Sequence, residues 1–143
     1  MICSAVSSDG AFGLNGGLPW NITEELKHFK KLTLGKTLLV GKNTELPPLP
    51  GREVIRLSRE DSLPIDSKDI FLIGGKTLID ALSPGPYWFR WYLTVIEFPQ
   101  PIKADTYLYP DLSSWVLVDE RAEKGWCRKN HCPVTLFFRV YER

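Results

Sequence analysis

Residues 13–32, GLNGGLPWNITEELKHFKKL, constrain this chain more than any other stretch. Gly13, Gly16 and Gly17 make a pliable loop, and Leu18, Pro19 and Trp20 stiffen it into an amphipathic helix. Asn21 stands at an N-cap position with Glu24 three residues on. That capping-box spacing predicts reciprocal satisfaction of two backbone donors. Ile22, Leu26, Phe29 and Leu32 then recur at helical period and predict one apolar stripe against the core. Glu24, Lys27, Lys30 and Lys31 fall beside or opposite it, but Glu25 lies inside it. A carboxylate among apolar side chains is costly to ionise, so its pKa should rise from about 4.3 towards neutrality, where it can donate a proton. On the helix alone, snorkelling to water or pairing with His28 one turn on is the better account of Glu25. The adjoining lid-like loop shifts the weight towards chemistry.

The chain has 143 residues, enough for one domain with a single core. Apolar residues make up 43% and charged residues 24%, ordinary for a globular protein. A net charge of +1 argues against a nucleic-acid or membrane surface. No window approaches the length of a membrane span and the N-terminus lacks a signal-peptide pattern, so a cytoplasmic protein is expected. Three cysteines, an odd number, do not suggest a disulfide framework. Cys127, His131 and Cys132 cluster but fall one ligand short of a structural zinc site, and no metal is expected. Cys3 reads as a buried small hydrophobe.

In chain order, residues 2–7 form a short β-rich run and Asp9-Gly10 turns into the lid loop. Gly35 closes the first helix, and residues 37–40 are an apolar run fit for a buried strand. Gly41, Lys42, Asn43 and Thr44 follow, read as a strand end opening into a helical turn whose free N–H groups suit an anion. An ordinary tight turn with an exposed lysine fits the same residues. Residues 49–52 are a turn and 54–57 a strand that delivers Ser58 and Arg59. Arg52 and Arg59 are candidate anion holders, since guanidinium binds phosphate or carboxylate bidentately.

A continuous apolar strand at 70–73 runs through Gly74 and Gly75 into a helix over 76–82. Two strand–glycine–helix junctions at one sheet end would make a dinucleotide crevice. Gly-Lys-Thr occurs twice, yet Lys30 and Ile70 stand where a P-loop needs its first glycine, which excludes that reading. Residues 89–98 form a long strand with Thr94 among apolar neighbours. Residues 115–118 and 134–141 close the sheet as an antiparallel pair, with a basic turn around 124–130. The expected fold is a single α/β domain over 1–143, with few helices and a mostly parallel sheet ending in an antiparallel C-terminal hairpin.

Six short motifs in order carry a family resemblance across the chain. They are the lid with Leu-Pro-Trp-Asn and the acid helix, Val-Gly-Lys-Asn-Thr, Leu-Pro-Gly-Arg, Ile-Gly-Gly, Tyr-Leu-Thr and Ala-Asp-Thr. Together they resemble dihydrofolate reductase. The resemblance implies reduction of dihydrofolate by NADPH, with Glu25, Trp20 and Thr94 as the catalytic group. Glu25 would grip the pterin edge and support protonation of N5, while hydride passes to the neighbouring ring carbon. Cys3, Ala5, Leu26, Phe29 and Ile73 would line the substrate site and Arg52 would clamp the glutamate carboxylate. The cofactor would be held by Ala5, Gly13, Leu14, Gly17, Leu18, Lys42, Asn43, Thr44, Ser58, Arg59, Gly74, Gly75, Lys76 and Thr77. A cis bond between Gly74 and Gly75, and a lid tethered by Asp105, also follow from the resemblance. It further implies small-molecule partners only, a monomer, a place in one-carbon metabolism and a target for antifolates.

The chain departs from the family's pattern mainly on the adenosine side. The segment between Arg59 and Ile70 is short, residues are missing before Pro50, and Lys76, Thr77 and Ile79 replace usual residues. Arg59 and Lys42 still favour a 2′-phosphate. Two alternatives stay open: a folate- or nucleotide-binding scaffold without turnover, and a reductase of a pyrimidine riboflavin precursor on the same fold.

Overall fold

A computed structural model describes residues 1–57, 69–85 and 88–143. The elements run β1 (Ile2–Ser7), β2 (Ala11–Gly13), α1 (Thr23–Thr33), β3 (Thr37–Gly41), β4 (Glu53–Leu57) and β5 (Ile70–Gly74). Then follow α2 (Lys76–Leu82), β6 (Arg90–Glu97), β7 (Thr106–Tyr107), β8 (Val116–Cys127) and β9 (Cys132–Glu142). Among the described residues, seven strands form one sheet in the order β4-β3-β5-β1-β6-β9-β8, and β2 pairs with β7 in a small second sheet. Pairings from β4 through β6 are parallel, and β9 joins β6 and β8 antiparallel, as expected for this fold class.

Side chains alternate across a strand, so each strand feeds two faces. Ile2, Leu39, Leu72, Trp91 and Leu93 pack with Leu78 and Ile79 of α2. Cys3, Leu38, Phe71 and Tyr92 point the other way, against Phe29 and Leu32 of α1. The β1–β6 register aligns Cys3 with Tyr92 and Ala5 with Thr94. Cys3, Ala5 and Thr94 therefore share the face that α1 covers.

Several local expectations change. Ile22, not Asn21, is the N-cap of α1, and no side chain caps it. Ile22 bridges to Cys127 and the Asn21 carbonyl accepts from Arg128 N, so tertiary pairing to the hairpin takes the place of the capping box. Glu24 instead accepts from Trp126 N at 3.4 Å. Leu26 is 46% exposed rather than core; the buried residues of α1 are Glu25 and Thr33. The turn at 41–44 closes with Thr44 N donating to Gly41 O and does not continue as a helix. The 124–130 region is mostly strand, because β8 continues to Cys127 before a four-residue turn.

Candidate active site

The lid is a tied ribbon rather than a formless cover. Leu14 and Gly17 exchange two backbone hydrogen bonds of 3.0 Å, around Asn15 at φ 52 and Gly16 at φ 82. Asn-Gly with both φ positive is the composition a tight hairpin turn requires. Asp105 Oδ2 accepts from Asn15 N at 2.9 Å, and Asp105 N donates to Gly13 O at 3.0 Å. The Asn15 N–H, helped by the Thr106 hydroxyl donating to Oδ1, holds the Asp105 carboxyl below its ordinary pKa. At the lid's far end, Lys129 Nζ donates to Leu18 O at 3.3 Å and Asn130 Nδ2 to Pro19 O at 3.2 Å. Glu45 N donates to Gly16 O at 3.3 Å, joining the lid to the loop after β3.

Between lid, α1 and the C-terminal ends of β1, β3 and β5 lies a cleft of about 1040 Å³. This is the end of a parallel sheet where ligands characteristically sit. At its floor Glu25 is only 8% exposed and Trp20 3%. Burial pushes the Glu25 carboxyl up to about 7, with the Trp20 indole pulling it back down. Yet neither Trp20 Nε1 nor Glu25 Oε2 makes a hydrogen bond of acceptable geometry. Hydrogen bonds weaken steeply with misalignment, so the indole and the carboxyl lie close without being bonded. Each buried unpaired polar atom costs about 1–3 kcal/mol, a cost the fold carries at the cleft floor as it does at Trp88 Nε1 in the core. His28 does not pair with Glu25; its ring lies 4.1 Å from that of Phe138. Cys3, beside Glu25, is pushed up to about 12 by burial and by the Glu25 charge, which keeps that thiol inert.

The opposite wall is made largely of backbone. A Cβ on Gly41 would lie 3.3 Å from Thr44 Oγ1 and 3.4 Å from Gly75 N, so the β3 and β5 ends approach each other closely and a side chain at Gly41 would crowd the junction. The Gly74–Gly75 peptide is cis and Gly74 has φ 150, a conformation that favours glycine. Arg56 of β4 braces the turn, Nη1 donating to Thr44 O at 2.6 Å. With that carbonyl engaged, the turn presents Lys42, Asn43 and Thr44 to the cleft beside Gly74, Gly75, Lys76 and Thr77.

The cleft thus brings together most of the sequence-selected residues: Glu25, Trp20 and Thr94 with Cys3, Ala5, Leu26, Phe29 and Ile73, and the lid residues Gly13, Gly17 and Leu18. Leu14 and Arg52 stay off its lining. Arg52 is nevertheless close by: Nη1 donates to Thr33 Oγ1 at 3.2 Å, and the guanidinium lies 6.0 Å from the Phe29 ring centroid. Ser58 and Arg59 lie outside the described residues. Phe12, Glu45, Leu49 and Lys129 also line the cleft and were not selected from sequence. Glu45 directly follows the 41–44 turn, which was signal enough. Lys129 arrives from the far end of the chain, and nothing local announces it. Among the described residues, no group of three His, Cys, Asp or Glu side chains is arranged to hold a metal.

Comparison with known proteins gives one answer. The family profile described as Dihydrofolate reductase matches residues 1–69. The dihydrofolate reductase of Mycobacterium leprae is 40% identical, aligned over 73% of this chain and 71% of that protein. That of Staphylococcus aureus is 30% identical over 92% of this chain and 91% of its own. Among solved structures, dihydrofolate reductase from Enterococcus faecalis complexed with NADP(H) and RAB-propyl superposes with a TM-score of 0.75. It is 25% identical, covering 99% of this chain and 94% of the other.

Proposed function

This chain belongs to the dihydrofolate reductase family and reduces 7,8-dihydrofolate to tetrahydrofolate with NADPH, and we propose that the buried carboxyl of Glu25 governs the proton this reaction needs. When bound, NADPH supplies the hydride. The residues present suit it: the glycine junctions leave a cradle that a Cβ would crowd, and Lys42 brings positive charge to its edge, while Lys76 Nζ is paired with Asp80 Oδ2 at 2.5 Å.

Glu25 carries the reading because its Oε2 is a buried acceptor without a partner at the cleft floor. With a pKa near 7 the carboxyl is poised between holding and releasing a proton at working pH. As the anion it accepts hydrogen bonds from the amidine-like edge of a pterin; as the acid it supports protonation at N5. Thr94, on the same sheet face, and the Trp20 indole orient that edge. Leu26 and Phe29 give the apolar walls for the benzoyl portion, and Arg52 holds the glutamate carboxylate.

The lid residues Gly13, Leu14, Gly17 and Leu18, with Ala5 beneath, exclude water from the transfer region. Lys42, Asn43 and Thr44 hold phosphate and ribose from one side, and Gly74, Gly75, Lys76 and Thr77 from the other; Ser58 and Arg59 add a hydroxyl and a guanidinium to the phosphate contacts. The chain acts as one domain over 1–143, as a monomer and in the cytoplasm. Among the described residues no helix is long and apolar enough to cross a membrane.

The test is dihydrofolate-dependent NADPH oxidation by the purified protein, followed by loss of nicotinamide absorbance and repeated with Glu25→Gln. Turnover that the variant loses supports the assignment of the acid. Tight ligand binding without turnover in the unaltered protein would favour a binding scaffold.

A further inference from the structure

Outside the cleft, the cysteine cluster near the C-terminus has no part in the reaction. The β8–β9 register places Cys127 directly opposite Cys132. Opposed residues of an antiparallel pair project to the same face with Cα atoms about 4.5–5.5 Å apart, inside the range of about 4.4–6.8 Å that a disulfide spans. The turn at 128–131 fixes that register, with His131 in the left-handed region at φ 50. Both thiols are reduced; Cys127 is fully buried and Cys132 half-buried, in one cluster with Trp20 and Ile22.

This pair is wired to the lid. Asn130 Nδ2 donates to Cys127 Sγ at 3.2 Å and to Pro19 O at 3.2 Å. One amide thus ties the Cys127 sulfur to the residue preceding Trp20. Next to it, Lys129 Nζ holds Leu18 O. The sulfur that accepts from Asn130 is the atom that must turn towards Cys132 for the two to bond. We propose that Cys127 and Cys132 are a reversible thiol–disulfide modification site whose oxidation releases Asn130 and loosens the base of the lid.

The oxidant is a low-molecular-weight disulfide. The half-buried Cys132, as thiolate, attacks one sulfur of it and expels the first small thiolate, leaving a mixed disulfide. Cys127 then attacks the Cys132 sulfur and expels the second. Two protein thiols give up two electrons and two protons, and one small disulfide becomes two small thiols. Burial and the nearby Cys127 raise the Cys132 pKa, so exchange should quicken as pH rises towards 9. The ring closes over a short turn, where a cross-link gains little from loop entropy, which suits a bond that forms and reopens. Cys3, buried elsewhere in the core, stays out of it.

The experiment exposes the folded protein to oxidised glutathione, then reads intact mass, a non-reducing peptide map and amide hydrogen exchange. None of these depends on catalysis, so failure here is separable from failure of the reductase reading. The expected product has lost two hydrogens, carries a Cys127–Cys132 linked peptide and keeps one titratable thiol of the original three. Exchange at the Leu14 and Gly17 amides should rise by about threefold or more, and dithiothreitol should reverse every change. Cys132→Ser, at the less buried position, should show neither the linkage nor the faster exchange. Three titratable thiols after treatment, or a lasting glutathione adduct on Cys132 alone, would overturn the site. A linked pair with unchanged exchange at Leu14 and Gly17 would overturn its connection to the lid.

Discussion

The two walls of the cleft are built on opposite plans. The floor beneath the lid is made of side chains from β1, α1 and β6, locked by core packing, with one buried acid whose cost the fold carries. The wall across from it is backbone: two strand ends brought together through Gly41, Gly74 and Gly75, with a turn braced by Arg56. A proton must be held by one group at one pKa, so its site demands a specific buried side chain. In the proposed reading phosphates, whose charge is dispersed, are satisfied there by backbone N–H groups and Lys42, so no single buried side chain has to hold them.

The largest effect should come from separating the two plans. Glu25→Gln should lower hydride transfer at neutral pH by about 10²–10³-fold and leave NADPH affinity near that of the unaltered protein. Single-turnover kinetics beside a cofactor titration checks it, and equal loss of both would dissolve the contrast. The acid should also set the pH dependence of transfer, which declines as pH rises through about 7 and is flat in the variant.

Stability offers a second test. Because the folded pKa of Glu25 lies above its unfolded value, its favourable contribution is complete below about pH 4.5 and is lost as pH rises through about 7. The upper bound is about 3 kcal/mol. His28 runs the other way. Burial, with Arg121 and Lys31 nearby, pushes it down to about 4, so its contribution is present above about pH 6.5 and lost as pH falls towards 4. The two offset each other over one window. Denaturant unfolding from pH 4.5 to 7.5 should therefore show a steeper rise of stability with pH in Glu25→Gln than in the unaltered protein. Parallel curves would place Glu25 in water.

Gly41→Ala addresses the other wall. Its Cβ would meet Thr44 Oγ1 at 3.3 Å and Gly75 N at 3.4 Å, displacing the Thr44 hydroxyl from the cofactor edge. NADPH affinity should fall by about tenfold with the pH profile unchanged. A change in the profile would mean that the walls are coupled. Smallest of the set, Asp105→Asn should lower turnover by about three- to fivefold by weakening the bond to Asn15 N, with both ligand affinities close to those of the unaltered protein. Stopped-flow binding and turnover measured together would check this.

Much of this molecule is written locally. The helix over 76–82, the strands at 2–7 and 70–73, and the strand–glycine junctions follow from apolar runs bounded by glycine, and the structure has them. Glu25 was legible because helical period alone puts it within an apolar stripe. Leu26 was misplaced by the same rule: its partner surface is a cleft and not a core, and periodicity cannot tell one from the other. The capping box at Asn21 failed because a hairpin from more than 100 residues away pairs with that backbone first. That hairpin also decides what residues 13–20 become. Gly, Asn and Pro determine that a turn forms there, but Asp105, Lys129 and Asn130 decide where it is tied. The facing of Cys127 and Cys132 belongs to the same class. Two thiols five residues apart mean little along a chain, and only strand register sets them opposite each other. Residue types and spacing determined the elements and the acid; contacts between distant segments decided the lid, the cleft wall and the paired sulfurs, because hydrogen-bonding partners far apart in sequence leave no periodic trace.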